Sequence, residues 1–324
     1  MSKVVRFHQT GGPEVMVLED VAVGEPGPGQ VRLRQHAVGL NFIDLYHRSG
    51  LYPMALPSGL GMEAAGVVEA VGEGVSTAQV GDRVAYAGGP LGAYAEQRIL
   101  PADKLVPLPD HLSFEQGASM LLQGLTAWYL LHQTYPLQAG ETILFHAAAG
   151  GVGLIACQWA KALGATVIGT VSSPAKAELA RQHGCDHVLD YSQPGWVAQV
   201  RELTGGKGVP VVYDGVGQAT FMDSLDCLRQ RGLMVSFGNA SGAVPAIEPG
   251  VLSSKGSLYL TRPTLGHYTG TREALLAGAA ALFFAVEQGQ IKLAIHQRYP
   301  LAEVAKAHED LAARRTTGSS VLLP

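Results

Sequence analysis

The fold is decided by the stretch FHAAAGGVGLIACQWAKALGA, residues 145–165, in which small and apolar side chains dominate and no acidic residue occurs. The run ETILFH before it, residues 141–146, is typical of a buried strand. From Val152 onward the apolar residues recur at helical spacing and fall on one face: Ile155, Ala156, Trp159, Ala160 and Leu163. Gly164 is placed to end that helix. The stretch is therefore predicted to be a strand, a tight turn and an amphipathic helix.

The turn resembles a dinucleotide fingerprint with one departure. The common form is GxGxxG, whereas this chain has AxGxxG over Ala148, Gly150 and Gly153. A glycine at 150 lets the backbone approach a pyrophosphate, and a glycine at 153 lets helix and strand pack closely. The helix N-terminus offers unpaired N–H groups to an anion. A glycine-rich turn that only packs is the alternative. The candidate phosphate-turn residues are Ala148, Gly150, Gly151, Val152 and Gly153.

Beyond residue 125 the pattern alternates between strand and helix. The predicted strands are 141–146, 165–171, 186–191, 209–214, 232–238 and 257–263, and the predicted helices are 152–163, 174–183, 195–203 and 218–230. Alternation of this kind predicts parallel β-α-β units in a doubly wound Rossmann sheet of order 3-2-1-4-5-6. The fold class is therefore α/β.

The two ends of the chain differ from this middle part. Residues 1–124 contain short β-like runs separated by Gly and Pro turns. In the tail, Thr271 is placed to cap a helix that Gly289 ends, and the run SVLLP at 320–324 reads as a strand. We predict a β domain from 1–124 and 266–324, a Rossmann domain over 125–265, and a cleft between them.

Composition narrows the function classes. The net charge of −4 and the pI of about 6.3 argue against nucleic acid as a main partner. No apolar run approaches the length of a membrane span, and the N-terminus lacks the features of a signal peptide. The three cysteines, Cys157, Cys185 and Cys227, form no metal or disulfide motif. A cytoplasmic location is expected.

The end of the second Rossmann strand bears on the choice of cofactor. An NAD site usually has Asp or Glu there, to hold the ribose hydroxyls. Here the strand ends in Ser172 and Ser173, with Lys176 one turn into the next helix. A hydroxyl and a lysine without a neighbouring acid favour the 2′-phosphate of NADPH. The alternative is that Ser173 only caps the helix and that Lys176 is a solvated surface residue.

Further candidates follow the other strands at the same edge, where ligands bind in open α/β sheets. Tyr191 ends the third strand and is expected beside the adenosine. Gly215 and Val216 follow the fourth strand, and Phe237 and Gly238 follow the fifth.

Several ordered motifs carry a family resemblance. LNFIDLYHRSGLYP, LGMEAAGVVEAVG, VGDRVAY, LLQGLTAWYLL and the AAAGGVG turn together span most of the chain. The sequence resembles the medium-chain dehydrogenases/reductases, and within them the zeta-crystallin-like NADPH:quinone oxidoreductases. The resemblance implies a GroES-like β domain built from both chain ends, an inserted Rossmann domain, NADPH as cofactor and a homodimer.

The departures from the zinc alcohol dehydrogenases of that superfamily point away from a metal. The positions that match their zinc ligands hold Asn41, Met62 and the Gln123 region, and the lobe of the structural zinc is absent. Asn and Met are poor zinc ligands. We therefore predict no metal. Without a Lewis acid, a conjugated acceptor such as a quinone suits hydride transfer better than a simple ketone does.

The resemblance and the pattern together give the remaining site residues. Asn41, in a former zinc-ligand position, is expected near the nicotinamide, with Tyr46 and Tyr52 stacking on a quinone or donating a proton. Loop packing is the alternative for both tyrosines, and Asp44 is expected to fix their loop. The residues expected to border the nicotinamide or the rest of the cofactor are Gln123, Thr126, Leu260, Thr261, Arg262 and Arg314.

Two other functions stay open. An enone or alkenal reductase would use the same cofactor and the same hydride step. A non-catalytic, crystallin-like NADPH-binding protein is the second, since relatives of this kind serve in the lens. Some relatives also bind RNA, against which the acidic pI and the lack of RNA-binding motifs argue.

Overall fold

The computed structural model describes residues 1–324. The strands are β1 Ser2–Phe7, β2 Met16–Val21, β3 Gln30–Leu40, β4 Ser58–Gly59, β5 Glu63–Val71, β6 Arg83–Ala87, β7 Gln97–Pro101, β8 Val106–Pro107, β9 Thr142–Phe145, β10 Thr166–Val171, β11 His187–Asp190, β12 Val209–Asp214, β13 Leu228–Ser236, β14 Tyr259–Thr261, β15 Ile295–Pro300 and β16 Ser319–Leu323.

The α-helices are α1 Phe42–Ser49, α2 Phe114–Tyr129, α3 Gly151–Ala162, α4 Pro174–Gln182, α5 Trp196–Leu203, α6 Phe221–Cys227, α7 Gly250–Ser254, α8 Leu265–Tyr268, α9 Arg272–Glu287 and α10 Val304–Ala312. A π-helical turn, Leu130–Thr134, extends α2. None of these helices combines the length and apolarity that crossing a membrane requires.

The chain divides into two compact units. The terminal unit comprises Met1–Leu125, Thr269–Ala279 and Leu293–Pro324. The central unit comprises Thr126–Tyr268 and Ala280–Lys292. The predicted domain boundaries stay a prediction; the compact units differ from them mainly in that the second half of α9 groups with the central unit.

The central unit is built on one parallel sheet of six strands in the order β11-β10-β9-β12-β13-β14. The predicted α/β class and the strand order 3-2-1-4-5-6 are therefore confirmed. Every residue of β12 is buried, as expected for the inner strand of a sheet covered on both faces. One core cluster of this unit includes Leu144, Ile168, Trp196 and Phe221.

One predicted element of the central unit is wrong in extent. The helix predicted over 218–230 is shorter, because α6 ends at Cys227 and β13 begins at Leu228. Two contacts explain the early switch. Leu228 pairs with Val209 in the sheet, and the guanidinium of Arg201 donates to the carbonyl oxygens of Asp226 and Leu228 at 2.8 and 3.1 Å.

The terminal unit contains two sheets. One has the order β2-β1-β4, and the other has the order β15-β16-β3-β5-β6-β8, with β7 also paired to β3. The predicted last strand is present as β16 and pairs with β3, so the C-terminal tail joins the sheet of the N-terminal segment. Thr271 also caps α9 as predicted, because its hydroxyl accepts the N–H of Ala274 at 3.2 Å.

Candidate functional site

The turn between β9 and α3 bends tightly although the first position of its motif, Ala148, is not a glycine. The left-handed residue is Ala147, with φ of 53°, and not Ala148. Ala148 is fully buried, and its N–H donates to the carbonyl oxygen of Thr170 in β10 at 3.0 Å. The turn is thus fastened to the neighbouring strand while Ala147 carries the strained conformation.

Two glycines of this turn have different surroundings. A Cβ added at Gly153 would lie 2.3 Å from the carbonyl oxygen of Ala147 and 2.8 Å from backbone atoms of Ala148. A Cβ added at Gly150, the residue that caps α3, would meet only the Ala147 oxygen, at 3.2 Å. Gly153 therefore permits close packing of α3. Gly150, Gly151 and Val152 are half-buried. The N–H of Gly150 donates to the Ala147 carbonyl oxygen at 2.9 Å, whereas the first-turn amides of α3 that follow it have no carbonyl of a preceding helical turn as acceptor.

The tip of β10 combines capping with positive charge. The hydroxyl of Ser173 accepts the N–H of Lys176 at 3.4 Å, so Ser173 is the N-cap of α4. Ser172 and the side chain of Lys176 are half-buried, and Pro174 occupies the first turn. The capping interpretation is therefore correct for Ser173. A capping hydroxyl still carries a hydrogen that it can donate to a phosphate.

The tip of β12 is organised by a buried acid, Asp214. Its Oδ1 accepts the N–H groups of Val216 and Gly217 at 2.8 and 3.0 Å. Its Oδ2 accepts the hydroxyls of Thr220 and Ser224 at 2.8 and 3.1 Å. Four charge-assisted bonds fix the loop that holds Gly215 and Val216. The sequence interpretation missed Asp214, although a buried acid followed by GVG at the end of a strand was a signal for it.

The tip of β13 contacts this loop, and the tip of β14 contacts the tip of β13. The N–H of Phe237 donates to the carbonyl oxygen of Asp214 at 2.8 Å. Gly238 approaches Gly215 so closely that an added Cβ would lie 2.4 Å from the Gly215 oxygen. The guanidinium of Arg262 donates to the carbonyl oxygens of Ser236 and Gly238 at 2.8 and 3.3 Å. Arg262 thus joins the ends of two strands, next to Leu260 and Thr261.

The predicted central-unit residues therefore lie at one sheet edge. The turn after β9, Ser172 and Ser173 after β10, Tyr191 after β11, Gly215 and Val216 after β12, Phe237 and Gly238 after β13, and Arg262 after β14 all follow the carboxyl ends of parallel strands. Thr126 also belongs to this unit, as a buried residue of α2. Backbone N–H groups, hydroxyls and a lysine at one edge are suited to a phosphorylated dinucleotide.

A buried histidine beneath this edge was also missed. His146 is fully buried, with Nδ1 2.7 Å from the Thr170 hydroxyl and Nε2 2.9 Å from the Ser224 hydroxyl. Burial lowers the pKa of His146. The ring links β9, β10 and α6 through hydrogen bonds, so it supports the edge from below. Sequence alone shows only a histidine at the end of a strand.

The terminal unit holds the predicted residue Asn41 in a buried polar network. Asn41 precedes α1 and is 6% exposed. Its Nδ2 donates to Oε2 of Glu63 at 2.9 Å, and its Oδ1 accepts from Nε2 of Gln123 at 3.2 Å. Gln123 in turn accepts the hydroxyl of Ser319 at 2.7 Å. The structure thus brings Asn41 and Gln123 into direct contact, and it adds Glu63 and Ser319, which sequence reasoning missed.

Glu63 is fully buried at the start of β5. Besides Asn41, it accepts the backbone N–H of Leu122 through Oε1 at 2.7 Å. Burial, together with the nearby carboxyl of Asp44, raises the pKa of Glu63 to about 8, although the bonds from Leu122 and Asn41 oppose that rise. The signal in the sequence was the acid in GME, directly after Met62, which is itself half-buried.

A second buried group fixes the start of α1. Asp44 accepts the backbone N–H of Asn41 at 2.9 Å and the hydroxyl of Tyr94 at 2.8 Å, both through Oδ2. The Tyr94 hydroxyl also lies 3.0 Å from Nε2 of His308, whose Nδ1 lies 3.3 Å from Arg48. Burial raises the pKa of Asp44 to about 7 and, with the charge of Arg48, lowers that of His308 to about 3. These contacts suit the loop-fixing role expected of Asp44.

The two predicted tyrosines pack against one another. The rings of Tyr46 and Tyr52 meet edge to face with centroids 5.2 Å apart, and the N–H of Tyr52 donates to the Tyr46 carbonyl oxygen at 3.1 Å. Tyr46 is 9% exposed and Tyr52 is half-buried. The loop-packing interpretation has direct support in this contact. Arg314 belongs to the same unit and has a left-handed backbone, with φ of 57°.

No group of three or more His, Cys, Asp or Glu side chains in the chain is arranged to hold a metal ion. The positions that match zinc ligands in the zinc alcohol dehydrogenases hold Asn41, Met62 and Gln123, and none of these is a His, Cys, Asp or Glu. The amide pair of Asn41 and Gln123 is engaged in hydrogen bonds instead.

Two family models match the chain. Residues 27–110 match the alcohol dehydrogenase GroES-like domain, and residues 151–281 match the zinc-binding dehydrogenase model. The first match lies in the terminal unit and the second covers most of the six-stranded sheet and its helices.

Full-length relatives are more specific. The chain is 62% identical to a quinone oxidoreductase of Pseudomonas aeruginosa, with both sequences covered completely. It is 49% identical to a 2-haloacrylate reductase of Burkholderia, covering 98% of each sequence. The solved quinone oxidoreductase of Escherichia coli, complexed with NADPH, superposes with a TM-score of 0.98 at 51% identity, covering 99% of this chain and 100% of that one.

Proposed function

The chain belongs to the quinone oxidoreductases of the medium-chain dehydrogenase/reductase family, and we propose that it transfers hydride from NADPH to a quinone. The observation that carries the proposal is the full-length match to quinone oxidoreductases, one of them solved with NADPH. The turn of Ala147–Gly153 supports it, since its geometry leaves first-turn amides of α3 for a pyrophosphate. When bound, NADPH supplies the hydride.

We propose that the residues at the carboxyl edge of the central sheet hold this cofactor. The α3 amides suit the pyrophosphate, and Ser173 and Lys176 suit the 2′-phosphate. Lys176 is half-buried beside the serines, and no acidic residue occurs among Ser172, Ser173 and the first turn of α4. Tyr191, Val216, Phe237 and Leu260–Arg262 are proposed to border the rest of the cofactor. Arg314 and Thr126 are proposed as further cofactor contacts from the family resemblance.

Asn41 is proposed as the group that orients the reacting oxygen of the quinone. Its amide is held by Glu63 and Gln123, so it is preorganised rather than free to rotate. Tyr46 and Tyr52 are proposed to line the acceptor site through the aromatic pair that they form. A conjugated quinone spreads the incoming negative charge, so a hydrogen-bond donor suffices where a simple ketone would need a metal. The reaction is therefore proposed to be metal-independent.

A panel of acceptors tests this proposal. NADPH oxidation is followed with 1,4-benzoquinone, naphthoquinones and 2-alkenals, each with and without a chelator. We expect turnover with quinones that is unchanged by the chelator and much slower with NADH. Loss of activity on chelation would contradict metal independence, and equal rates with NADH would contradict the role of Ser173 and Lys176.

A second candidate function is reduction of an activated carbon–carbon double bond. The 49% identity to a 2-haloacrylate reductase over nearly the whole chain favours it. Both reactions use the same hydride step, so the acceptor decides between them. Faster turnover of 2-alkenals or haloacrylates than of any quinone in the panel would support this candidate over the first.

We also propose a homodimer in the cytoplasm. The edge strand β14 exposes Tyr259 and Leu260, 60% and 39% accessible, as a surface on which a second copy can pair. The three cysteines are free and buried, as in proteins of reducing compartments. Light scattering after size exclusion gives the mass, and a monomer would contradict the dimer. Cell fractionation tests the location.

A further inference from the structure

Four polar side chains from separate segments of the terminal unit form one hydrogen-bonded chain. It runs from Ser319 in β16 to Gln123 in α2, then to Asn41 before α1, and ends at Glu63 in β5. All four residues are buried, with 6% exposure or less. Such a chain is costly to leave half-satisfied in a buried setting, so each member constrains the next.

The hydrogen bonds of this chain have a single direction. The Ser319 hydroxyl donates to Oε1 of Gln123, and Nε2 of Gln123 donates to Oδ1 of Asn41. The amide Nδ2 of Asn41 then donates to Glu63, which also accepts the N–H of Leu122. Glu63 is thus the final acceptor at both of its oxygens. A hydroxyl and two amides can each reverse their donor and acceptor roles, whereas the ionised carboxylate, which Glu63 becomes above its raised pKa of about 8, only accepts.

The carboxyl group of Glu63 is also held in place sterically. A Cβ added at Gly39 would lie 2.5 Å from Oε2 of Glu63 and 2.2 Å from the Ala118 carbonyl oxygen. The backbone of Gly39 in β3 therefore lies directly against the carboxyl group of Glu63. Because of this close packing, the group has little freedom to turn away from Asn41.

We propose that Glu63 is a positioning residue: as the final acceptor of this chain it orients the Asn41 amide so that one Nδ2 hydrogen remains for the oxygen of the quinone. This inference rests on the proposed function, which places Asn41 beside the acceptor. An amide nitrogen has two hydrogens, and Glu63 takes one of them. Without an obligatory acceptor at 63 the whole chain can reverse, and Asn41 would then present its oxygen where a donor is needed.

The first test is Glu63→Gln, assayed above pH 8, where Glu63 is ionised; the change keeps the size and removes the obligatory acceptor. The introduced amide can still accept from Leu122, but its NH₂ group then faces Asn41 and favours the reversed chain. We expect kcat/KM for 1,4-benzoquinone to fall about tenfold or more, the loss of one useful hydrogen bond, while the Kd of NADPH is unchanged. The matched control is Glu69→Gln on the same strand, where the acid pairs with Arg34 at the surface and no change is expected.

An exchange of the two groups separates positioning from packing. In Asn41→Asp/Glu63→Gln the carboxylate moves to position 41, where it can accept from both Gln123 and the introduced glutamine. Every hydrogen bond has a partner and the net charge is kept, but position 41 has no N–H. We expect a melting temperature close to that of the unaltered protein and turnover as low as in Asn41→Asp alone. Recovery of turnover in the exchanged variant would overturn the inference.

A readout independent of turnover uses selective ¹⁵N-asparagine labelling of the protein. The side-chain NH₂ signals of Asn41 are assigned by their loss in Asn41→Asp. We expect them to shift in Glu63→Gln and to stay in place in Glu69→Gln; unchanged signals in Glu63→Gln would contradict the orienting role. If those signals shift but the protein reduces no quinone, the proposed function fails while the orientation by Glu63 stands.

Discussion

The carboxyl edge of the central sheet and the buried network of the terminal unit are built by different means. At the sheet edge the site is formed mainly by backbone groups: the bend at Ala147, the closely packed Gly153 and the amides of α3. In the terminal unit it is formed by side chains: the hydrogen-bonded chain that ends at Glu63, and Asp44 with Tyr94. A backbone site depends on the shape of a turn, whereas a side-chain site depends on which groups accept and which donate.

The comparison predicts that the largest single effect comes from the backbone site. In Gly153→Ala the added methyl group would lie 2.3 Å from the Ala147 oxygen, so the turn or α3 must move. We expect a loss of unfolding free energy on the order of 3 kcal/mol and weak NADPH binding. Thermal unfolding and fluorescence titration with NADPH measure the two effects. Gly250→Ala in α7, where an added Cβ meets nothing within 4 Å, is the control; equal behaviour of the two variants would contradict the packing role.

The side-chain network predicts an unusual pH dependence of stability. The pKa values of Asp44 and Glu63, about 7 and about 8, lie above the usual value near 4, so the folded protein holds protons that the unfolded chain releases. Stability from these groups is present at low pH and is lost as pH rises through 7 and 8. The pKa of His308 is lowered to about 3, so this residue makes stability fall as the pH drops below about 6.5 and has no effect above it.

The net result is a decrease in the free energy of unfolding of about 2–3 kcal/mol between pH 6.5 and 8. Urea unfolding at a series of pH values measures it. Glu63→Gln should flatten this decrease, and Glu69→Gln should not. A stability that rises from pH 6.5 to 8 in the unaltered protein would contradict the assignment of raised pKa values.

The tip of β10 refines the comparison, because it combines the Ser173 hydroxyl, which caps the backbone of α4, with the charged side chain of Lys176. Lys176→Ala should raise the KM for NADPH about tenfold, the loss of one charge-assisted contact to a phosphate, and leave that for NADH nearly unchanged. Initial rates over a range of both cofactors measure it. A similar rise for NADH would show that Lys176 acts on the fold of α4 rather than on the 2′-phosphate.

The smallest effect is expected at the cap itself. Ser173→Ala removes the acceptor of the Lys176 N–H and should lower the unfolding free energy by about 1 kcal/mol. It should also raise the KM for NADPH, because the hydroxyl is proposed to donate to the 2′-phosphate. Ser173→Asp keeps the cap but adds negative charge, so we expect it to preserve stability and to weaken NADPH binding. Tight NADPH binding by Ser173→Asp would remove Ser173 from the proposed site.

The same contrast explains what the sequence could predict. The six strands followed from the alternation of apolar runs, because local periodicity reports strands and helices directly, and their order followed from the Rossmann class that this alternation indicates. The extent of α6 did not follow, since the pairing of Leu228 with Val209 is not local. For the same reason the sequence suggested Asn41 and Gln123 but not Glu63 and Ser319: Glu63 lies 22 positions from Asn41, and Ser319 lies 196 positions from Gln123.

The measurement that tests the central claim most directly is single-turnover oxidation of NADPH by 1,4-benzoquinone, with hydrogen or deuterium at the transferred position of the nicotinamide. Direct hydride transfer at a preorganised acceptor predicts a slower rate with deuterium, one hydroquinone formed per NADPH, and a lower rate in Asn41→Ala with cofactor affinity kept. Equal rates for the two isotopes with a semiquinone product, or full turnover in Asn41→Ala, would contradict the account.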